Sequence, residues 1–240
     1  MVALTLNGVG KNYELDGRIV SALTNIDLTV ETGKFVTIVG RSGCGKTTLL
    51  RLIARLEGKS SGQINFTLPD AKVGLVFQEP RLMPWLTVEQ NMAFSLLGEQ
   101  DSCTVKQTVE YYLKLLSLDA FKNAYPSQIS GGMAQRTALG RALCYNPDLI
   151  LLDEPLGALD AFTRTNLQNE LINIFLLAKK TFLLVTHDVD EAVLLGQRVI
   201  VMNEGRITED FAVELEYPRD TSSREFYDIR TKVLQAIMTI

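Results

Sequence analysis

Residues 40–47 have the types and the spacing of a phosphate-binding loop. Their sequence, Gly-Arg-Ser-Gly-Cys-Gly-Lys-Thr, follows Phe35–Val39, an apolar and largely β-branched run that predicts a buried strand. Glycines let backbone N–H groups turn toward phosphate oxygens, and the N-terminus of a following helix adds positive potential. Lys46 would reach the β- and γ-phosphates of a nucleoside triphosphate, and Thr47 would ligate Mg²⁺. The predicted nucleotide contacts in this segment are Gly40, Ser42, Gly43, Cys44, Gly45, Lys46, Thr47 and Thr48.

A second predicted strand ends in two carboxylates. Residues 149–152 are apolar throughout, as expected of a parallel strand that is covered on both faces. Ligand sites in open α/β sheets lie at the carboxyl ends of strands, where Asp153 and Glu154 stand. We expect Asp153 to help hold Mg²⁺, and Glu154 to orient and deprotonate the attacking water. A solvated acidic pair that caps the strand is the alternative, and the presence of Lys46 makes it less favoured.

The single histidine of the chain, His187, stands between the strand pattern 181–186 and an acidic helix start at 188–192. A lone histidine is usually a surface residue or a hydrogen-bonded core residue. Its predicted place at the carboxyl end of a strand favours a different role. We interpret it as the group that contacts and stabilises the γ-phosphate.

Ser130, Gly131 and Gly132 precede residues 133–142, which have apolar side chains at helical spacing. They predict a second helix N-terminus that could take an anion. A glycine-containing helix cap is the alternative. It would explain the serine but not the neighbouring phosphate-handling motifs.

The motifs at residues 40–47, 130–136 and 151–155 together resemble those of ATP-binding cassette (ABC) ATPase subunits of bacterial importers. The similarity extends from Tyr13 to the tail, so it covers nearly the whole chain. It implies that ATP and Mg²⁺ are the ligands and that Tyr13 stacks on adenine. It also implies catalysis by Lys46, Glu154 and His187; Mg²⁺ ligation by Thr47, Gln78 and Asp153; contact with ATP of a second subunit by Ser130, Gly131, Gly132 and Gln135; and a D-loop at Asp160.

The resemblance also implies partners. In this family the signature motif of one subunit, which corresponds here to Ser130-Gly131-Gly132, closes over the ATP held by another. A head-to-tail homodimer or a heterodimer with a second cassette is therefore expected. Membrane permease subunits and, indirectly, a solute-binding protein are the other expected partners. A soluble ABC ATPase without a transport role is the alternative, although such proteins more often have paired cassettes or a long coiled-coil insertion.

Residues 78–87 predict a contact with the permease. This segment has two prolines, which prevent a regular helix, and four large apolar side chains, which are unusual in a loop: Leu82, Met83, Trp85 and Leu86. Packing of the loop on its own helical region is the alternative. With Pro218-Arg219-Asp220, the segment most resembles the nitrate, sulfonate and taurine branch of importer ATPases, so these solutes are the candidate cargo.

Composition limits the function classes. The chain has 240 residues, of which 46% are hydrophobic, and this is enough for one compact catalytic domain. The formal net charge of −4 argues against a nucleic-acid partner. Apolar runs stay well short of the roughly 20 residues that cross a bilayer, and a basic-then-apolar leader is not visible. We therefore expect a cytoplasmic chain, and the resemblance to importer subunits implies a peripheral position at the cytoplasmic face of the cell membrane.

Periodicity predicts an α/β fold, and the motifs make it a P-loop NTPase (RecA-like) core with an N-terminal antiparallel β-region and a helical subdomain. Residues 2–30 alternate like a hairpin with its turn near 14–17, and 46–56 should form the first core helix. The predicted layout is a single domain over 1–240. Its expected parts are the β-region and core at 1–86 and 142–216, the helical subdomain at 87–141, and a C-terminal tail at 217–240.

The three cysteines lack metal-ligand spacing and are expected to be reduced thiols. Cys44 stands beside a predicted helix N-terminus, where a thiol ionises more readily. We therefore expect alkylating reagents to reach Cys44 and to block ATP binding. A small residue that only completes the loop is the alternative.

Overall fold

The computed structural model describes residues 2–96, 98, 101–157 and 159–238, with Val2 described by its backbone alone. The chain forms two compact units, one from residues 1–71 and 179–240 and the other from 72–178. The layout that the sequence predicts, with boundaries at residues 86/87, 141/142 and 216/217, stays a prediction. The first unit contains β1 (Val2–Leu15), β2 (Arg18–Glu31), β3 (Phe35–Val39), α1 (Lys46–Ile53), β4 (Ser61–Phe66), β7 (Thr181–Thr186), α6 (Val189–Leu195), β8 (Arg198–Asn203), β9 (Arg206–Ala212) and α7 (Arg224–Met238).

The predicted hairpin opens the first unit. Strands β1 and β2 pair antiparallel, and Asp16 and Gly17 form the two-residue connection with φ of 50° and 72°. Two successive positive φ angles are typical of the turn that matches the twist of a hairpin. Strand β4 pairs antiparallel with the other edge of β1, which gives a three-stranded sheet in the order β2-β1-β4.

Parallel strands form the core of the first unit. Strand β3 lies between β7 and β8 and pairs in parallel with both, and every residue of β3 and β7 is buried, as their apolar runs predict. Val39 at the end of β3 is opposite Thr186 at the end of β7. The loop that begins at Gly40 and the turn at His187 therefore leave the same edge of this sheet from adjacent strands.

In its described residues the second unit contains a parallel strand pair, four α-helices and short 3-10 turns. Val76 of β5 is opposite Leu152 of β6, so both strands end at the same level, one before Gln78 and the other at Asp153. The helical pattern predicted from residue 105 to 116 is present, with Val109 and Leu113 buried on one face. The elements are β5 (Val73–Val76), α2 (Val88–Ala93), α3 (Ser102–Leu115), α4 (Gly131–Cys144), β6 (Leu149–Asp153) and α5 (Ala161–Ala178).

Two elements differ from their sequence-based bounds or add to them. Helix α1 ends at Ile53 rather than near residue 56, because Arg55 adopts a left-handed φ of 59° that a helix cannot continue. The tail folds into α7, whose Phe226 and Val233 are buried in a cluster with α6 and β8. Within the described ranges, every helix falls short of the length and apolar character that crossing a membrane requires.

Candidate functional site

The loop after β3 requires its glycines. Gly43 and Gly45 have φ of 82° and 103°, a region that side chains strongly disfavour. A Cβ on Gly45 would lie 2.7 Å from the carbonyl oxygen of Ala22, and a Cβ on Gly40 would lie 2.2 Å from that of Met202. Backbone crowding and conformation thus select glycine at all three positions of the predicted phosphate loop.

Lys46 is the first residue of α1 and lies inside this loop. Its side chain is buried, and its Nζ donates to the carbonyl oxygens of Gly40 at 2.8 Å and Arg41 at 3.2 Å. A buried ammonium at a helix N-terminus, surrounded by a glycine loop, is well suited to a polyphosphate. Thr47 and Thr48 follow in the first helical turn and are half-buried.

Cys44 is not the accessible thiol that its position in the loop suggests. The residue is 5% exposed, and its carbonyl accepts a hydrogen bond from Gly205 N at 3.1 Å. Burial argues against the expected reactivity toward alkylating reagents, and the Cys44 Sγ lies 2.8 Å from where a Cβ on Gly40 would stand. Cys103 is exposed instead, and burial raises the pKa of the Cys144 thiol to about 12.

Tyr13 lies on β1 and contacts Glu57 and Lys11, neither of which the sequence motifs single out. Its hydroxyl donates to Glu57 Oε2 at 2.5 Å, and the Lys11 ammonium lies 4.8 Å from the ring centroid. Burial, followed by the bond to Glu57, raises the pKa of the Tyr13 phenol. Glu57 comes just after α1, 44 residues along the chain, so neither periodicity nor motif spacing could connect it to Tyr13.

His187 is exposed and lies in a turn that is stabilised by hydrogen bonds among its neighbours. The Thr186 hydroxyl donates to Glu191 Oε2 at 2.5 Å and accepts from Asp188 N at 3.0 Å. Asp188 caps α6 by accepting from Glu191 N at 3.1 Å. Sequence analysis identified the histidine but not the buried Glu191 that holds its turn.

In the second unit, Gln78 and Glu154 approach the same glycine. A Cβ built on Gly157 would lie 3.5 Å from Gln78 Nε2 and 3.9 Å from Glu154 Oε2. Asp153 is the buried last residue of β6, and Glu154 follows with a φ of 44° and a half-buried side chain. The structure thus brings together Glu154, the predicted water-activating carboxylate, and Gln78, a predicted Mg²⁺ ligand.

The predicted second helix N-terminus is present at α4. Ser130 is its N-cap, and the Ser130 hydroxyl accepts from Met133 N at 3.3 Å. A Cβ on Gly131 would meet nothing within 4 Å, whereas a Cβ on Gly132 would lie 2.5 Å from Thr163 Cγ2. The surroundings of the two glycines therefore differ: Gly131 faces open space, whereas Gly132 packs against α5.

Gln135 and Asp160 have local structural roles. Gln135 is buried, and its Nε2 donates to the Phe77 carbonyl at 3.2 Å, so its expected contact with ATP of a second subunit stays a prediction. Asp160 accepts from Thr163 N at 3.0 Å, and this backbone hydrogen bond lowers the pKa of the Asp160 carboxyl. Ala158, the first residue of the predicted D-loop at 158–160, lies outside the described residues.

Comparison with known proteins decides the family. A model of the family described as "ABC transporter" matches residues 23–157 of the chain. The chain belongs to this family. As a cassette it is similar to the aliphatic sulfonates import ATP-binding protein SsuB of Bacillus cereus (strain ATCC 10987 / NRS 248), with 46% identity over 98% of this chain and 95% of the relative. The corresponding protein of Bacillus subtilis (strain 168) is 42% identical over 97% of this chain and 93% of its own length.

Solved structures confirm the predicted fold of the cassette. A dimeric, post-hydrolysis state of the ATP-binding cassette MJ0796 bound to ADP and Pi superposes with a TM-score of 0.78 and 32% identity. The match covers 89% of this chain and all of the other, so the predicted α/β P-loop fold is confirmed.

A buried asparagine holds the apolar loop of the cassette in one conformation. Asn91 Nδ2 donates to the carbonyls of Met83 at 3.2 Å, Leu86 at 3.0 Å and Thr87 at 3.0 Å. Its Oδ1 accepts from Met83 N at 2.9 Å. Trp85 projects from this ordered loop with 73% of its surface exposed.

Helix α4 also forms hydrogen bonds with the residues that precede this loop. Arg141 on α4 donates to the carbonyls of Pro80 and Arg81, each at 3.0 Å, and the Gln135 bond to Phe77 adds a third attachment. Burial lowers the pKa of the Arg141 guanidinium. The exposed Trp85 and the half-buried Leu82, Met83 and Leu86 therefore lie in a loop that is hydrogen-bonded to both α2 and α4.

The predicted Mg²⁺ ligands have suitable chemistry. Thr47, Gln78 and Asp153 would offer a hydroxyl, an amide oxygen and a carboxylate, all hard oxygen ligands of the kind that Mg²⁺ takes together with phosphates and water. The part of the chain that the structure describes has no group of three or more His, Cys, Asp or Glu that could hold a metal by themselves. An ion bound mainly through nucleotide phosphates fits this donor set.

Proposed function

We propose that the chain is the ATP-hydrolysing subunit of an ABC importer and that it powers uptake of a small solute through separate permease subunits. The phosphate loop after β3 carries this proposal. Its glycines are required by backbone geometry, and its lysine is buried within the loop. This combination prepares donors for a triphosphate before the nucleotide arrives, so binding needs little rearrangement.

Within this function each predicted residue has a role. Lys46 and the backbone of residues 42–48 bind the β- and γ-phosphates, and Tyr13 stacks on adenine. Thr47, Gln78 and Asp153 hold Mg²⁺, which supplies charge neutralisation at the phosphates. Glu154 removes a proton from the attacking water, and His187 contacts the γ-phosphate.

The second subunit contributes the signature residues in this proposal. Ser130, Gly131, Gly132 and Gln135 approach ATP bound by the partner in a head-to-tail pair, and Asp160 lies in the D-loop beside it. The dimeric cassettes with similar folds support a pair of subunits. The Cβ position on Gly131 has room for such an approach, since no described atom other than its chain neighbours and the adjacent backbone of its own helix lies within 4 Å of it.

The exposed loop at residues 82–86 docks a cytoplasmic helix of the permease, which places the subunit on the cytoplasmic face of the cell membrane. Replacing Trp85 and Leu86 by Ser should release the subunit from permease-containing membranes while ATP affinity stays unchanged. Replacing Leu176 and Leu177, two adjacent exposed leucines on α5, by Ser is the matched control. Co-purification of the loop variant with its permease at wild-type yield, with normal transport-coupled turnover, would refute this docking role.

The relatives named for aliphatic sulfonate import favour a sulfonate as cargo over nitrate, with taurine, itself a sulfonate, as a further candidate. The test is the ATPase rate of the reconstituted importer with its solute-binding protein and each candidate solute in turn. Stimulation by an aliphatic sulfonate is the expected result. Stimulation by nitrate alone would contradict the cargo assignment and leave the ATPase role intact.

A further inference from the structure

Glu57 makes a closely spaced set of contacts around Tyr13. Its Oε2 accepts the hydrogen bond from the Tyr13 hydroxyl, and its Oε1 lies 3.3 Å from Arg51 Nη1. The bond from Tyr13 is the main reason that the pKa of the Glu57 carboxyl is lowered. A hydrogen bond from a phenol to a carboxylate is stronger than one between neutral groups, so it fixes the ring at its hydroxyl end.

Lys11 fixes the same ring from one face. Its ammonium lies 4.8 Å from the centroid of Tyr13, and it also donates to the Gly58 carbonyl at 2.7 Å. Lys11 is 4.0 Å from Glu57 Oε2, so the lysine, the carboxylate and the phenol form one cluster. A base that stacks on Tyr13 therefore has to use the face that Lys11 does not cover.

The cluster is connected to the phosphate loop through α1. Thr48 on the first turn of this helix is a side-chain neighbour of the Tyr13 phenol, and Arg51 contacts Glu57 from its last turn. Because α1 begins at Lys46, the same helix fixes both the tyrosine ring and the phosphate-binding residues. A fixed distance between these two sites would reduce the entropy that a nucleotide loses on binding.

We infer that Glu57 is a positioning residue for adenine, which orients the Tyr13 ring so that base and triphosphate bind together. The inference rests on the proposed stacking of adenine on Tyr13. It assigns a role in base recognition to a residue outside the predicted site. Glu57 acts through the tyrosine and does not touch the phosphates.

The test compares two ligands, ATP and inorganic triphosphate, by calorimetric titration of the whole protein. Glu57→Ala should weaken ATP binding by about 3- to 10-fold, the scale of one lost hydrogen bond, and leave triphosphate binding within about 2-fold. Tyr13→Phe, which keeps the ring and removes the hydroxyl, should weaken ATP by a similar factor. The double variant should be no weaker than either single variant, because both remove the same bond.

Glu14→Ala is the matched control, since it removes an exposed carboxylate from the same strand as Tyr13. It should leave both affinities unchanged. A general charge effect makes the opposite prediction for Glu57→Ala, because loss of a negative charge would tighten binding of both anions. Unchanged triphosphate binding also shows that the variant is folded.

Three results would overturn the inference. Wild-type ATP affinity in Glu57→Ala, together with a clear loss in Tyr13→Ala, would leave the adenine role of Tyr13 standing and remove Glu57 from it. Equal changes for ATP and triphosphate would assign Glu57 to charge or folding. Wild-type ATP affinity in Tyr13→Ala would refute the stacking of adenine itself, and the inference with it.

Discussion

At the scale of single residues, the glycines of the motifs differ in the physical reason for their presence. Gly45 is required by its φ of 103° and by the nearby Ala22 carbonyl, whereas Gly132 is required by Thr163. Gly131 has ordinary φ and open space around it. The sequence pattern could predict where glycine is needed but could not separate these causes, because the contacts of Gly45 with Ala22 and of Gly132 with Thr163 join residues distant in the chain.

The signature glycines give the first prediction at this scale. Gly132→Ala should lower the free energy of unfolding by about 1–3 kcal/mol, the usual cost of overpacking, because its Cβ meets Thr163 Cγ2. Gly131→Ala should not destabilise the fold, so a loss of ATPase activity in it would report the approach of ATP from a partner subunit. Urea denaturation measures both effects.

A rescue variant separates packing from other causes. Adding Thr163→Ser to Gly132→Ala removes the methyl group and keeps the hydroxyl, so most of the lost stability should return. If the double variant stays as unstable as Gly132→Ala, contact with Thr163 is not the reason for this glycine.

The cysteines give a second prediction for single residues. Iodoacetamide at pH 8 should label Cys103 in the native protein and spare Cys44 and Cys144, because the first is exposed and the other two are buried. The Cys144 thiol is further protected, since its pKa of about 12 keeps it protonated far above neutral pH. Mass spectrometry of native and urea-unfolded protein measures the pattern. Native labelling at Cys44 that ATP slows would restore the reactivity expected from its sequence position.

At the scale of elements, spacing predicted the helices and strands better than it predicted what holds the loops. The apolar runs correctly placed β3 and β7, and the pattern from residue 105 to 116 correctly predicted α3. The order of the loop at 82–86 was not predictable, because it depends on the single amide of Asn91. One polar residue in a helix has no periodicity that would reveal its partners.

Asn91 gives the prediction at this scale. Asn91→Ala should lower the free energy of unfolding by about 2–4 kcal/mol, since several backbone groups lose a partner at a fully buried position. Gln90→Ala on the exposed side of the same helix removes one capping bond and should cost less than about 1 kcal/mol. Urea denaturation compares the two variants. Equal losses would show that the loop is ordered by something other than Asn91.

At the scale of the whole molecule, the sequence predicted the chemistry because motif residues lie at the ends of buried strands. The phosphate loop and the turn at His187 follow neighbouring strands of one unit. In the other unit, Gln78 and Glu154 lie close together beside Gly157. The supporting residues Glu57 and Glu191 were missed. Their contacts with Tyr13 and Thr186 form only when the chain folds, and they follow no motif spacing. The sequence alone therefore does not predict them.

Glu154→Gln tests the central claim, ATP hydrolysis by this chain, most directly. Phosphate release from bound ATP in a single-turnover experiment should be at least about 100-fold slower than in the wild type, the usual effect of losing a general base. ATP affinity should be unchanged, and light scattering should detect an ATP-dependent dimer. Glu110→Gln on α3, the control for loss of a carboxylate, should hydrolyse ATP at the wild-type rate. Near-normal phosphate release by Glu154→Gln would contradict the assigned mechanism.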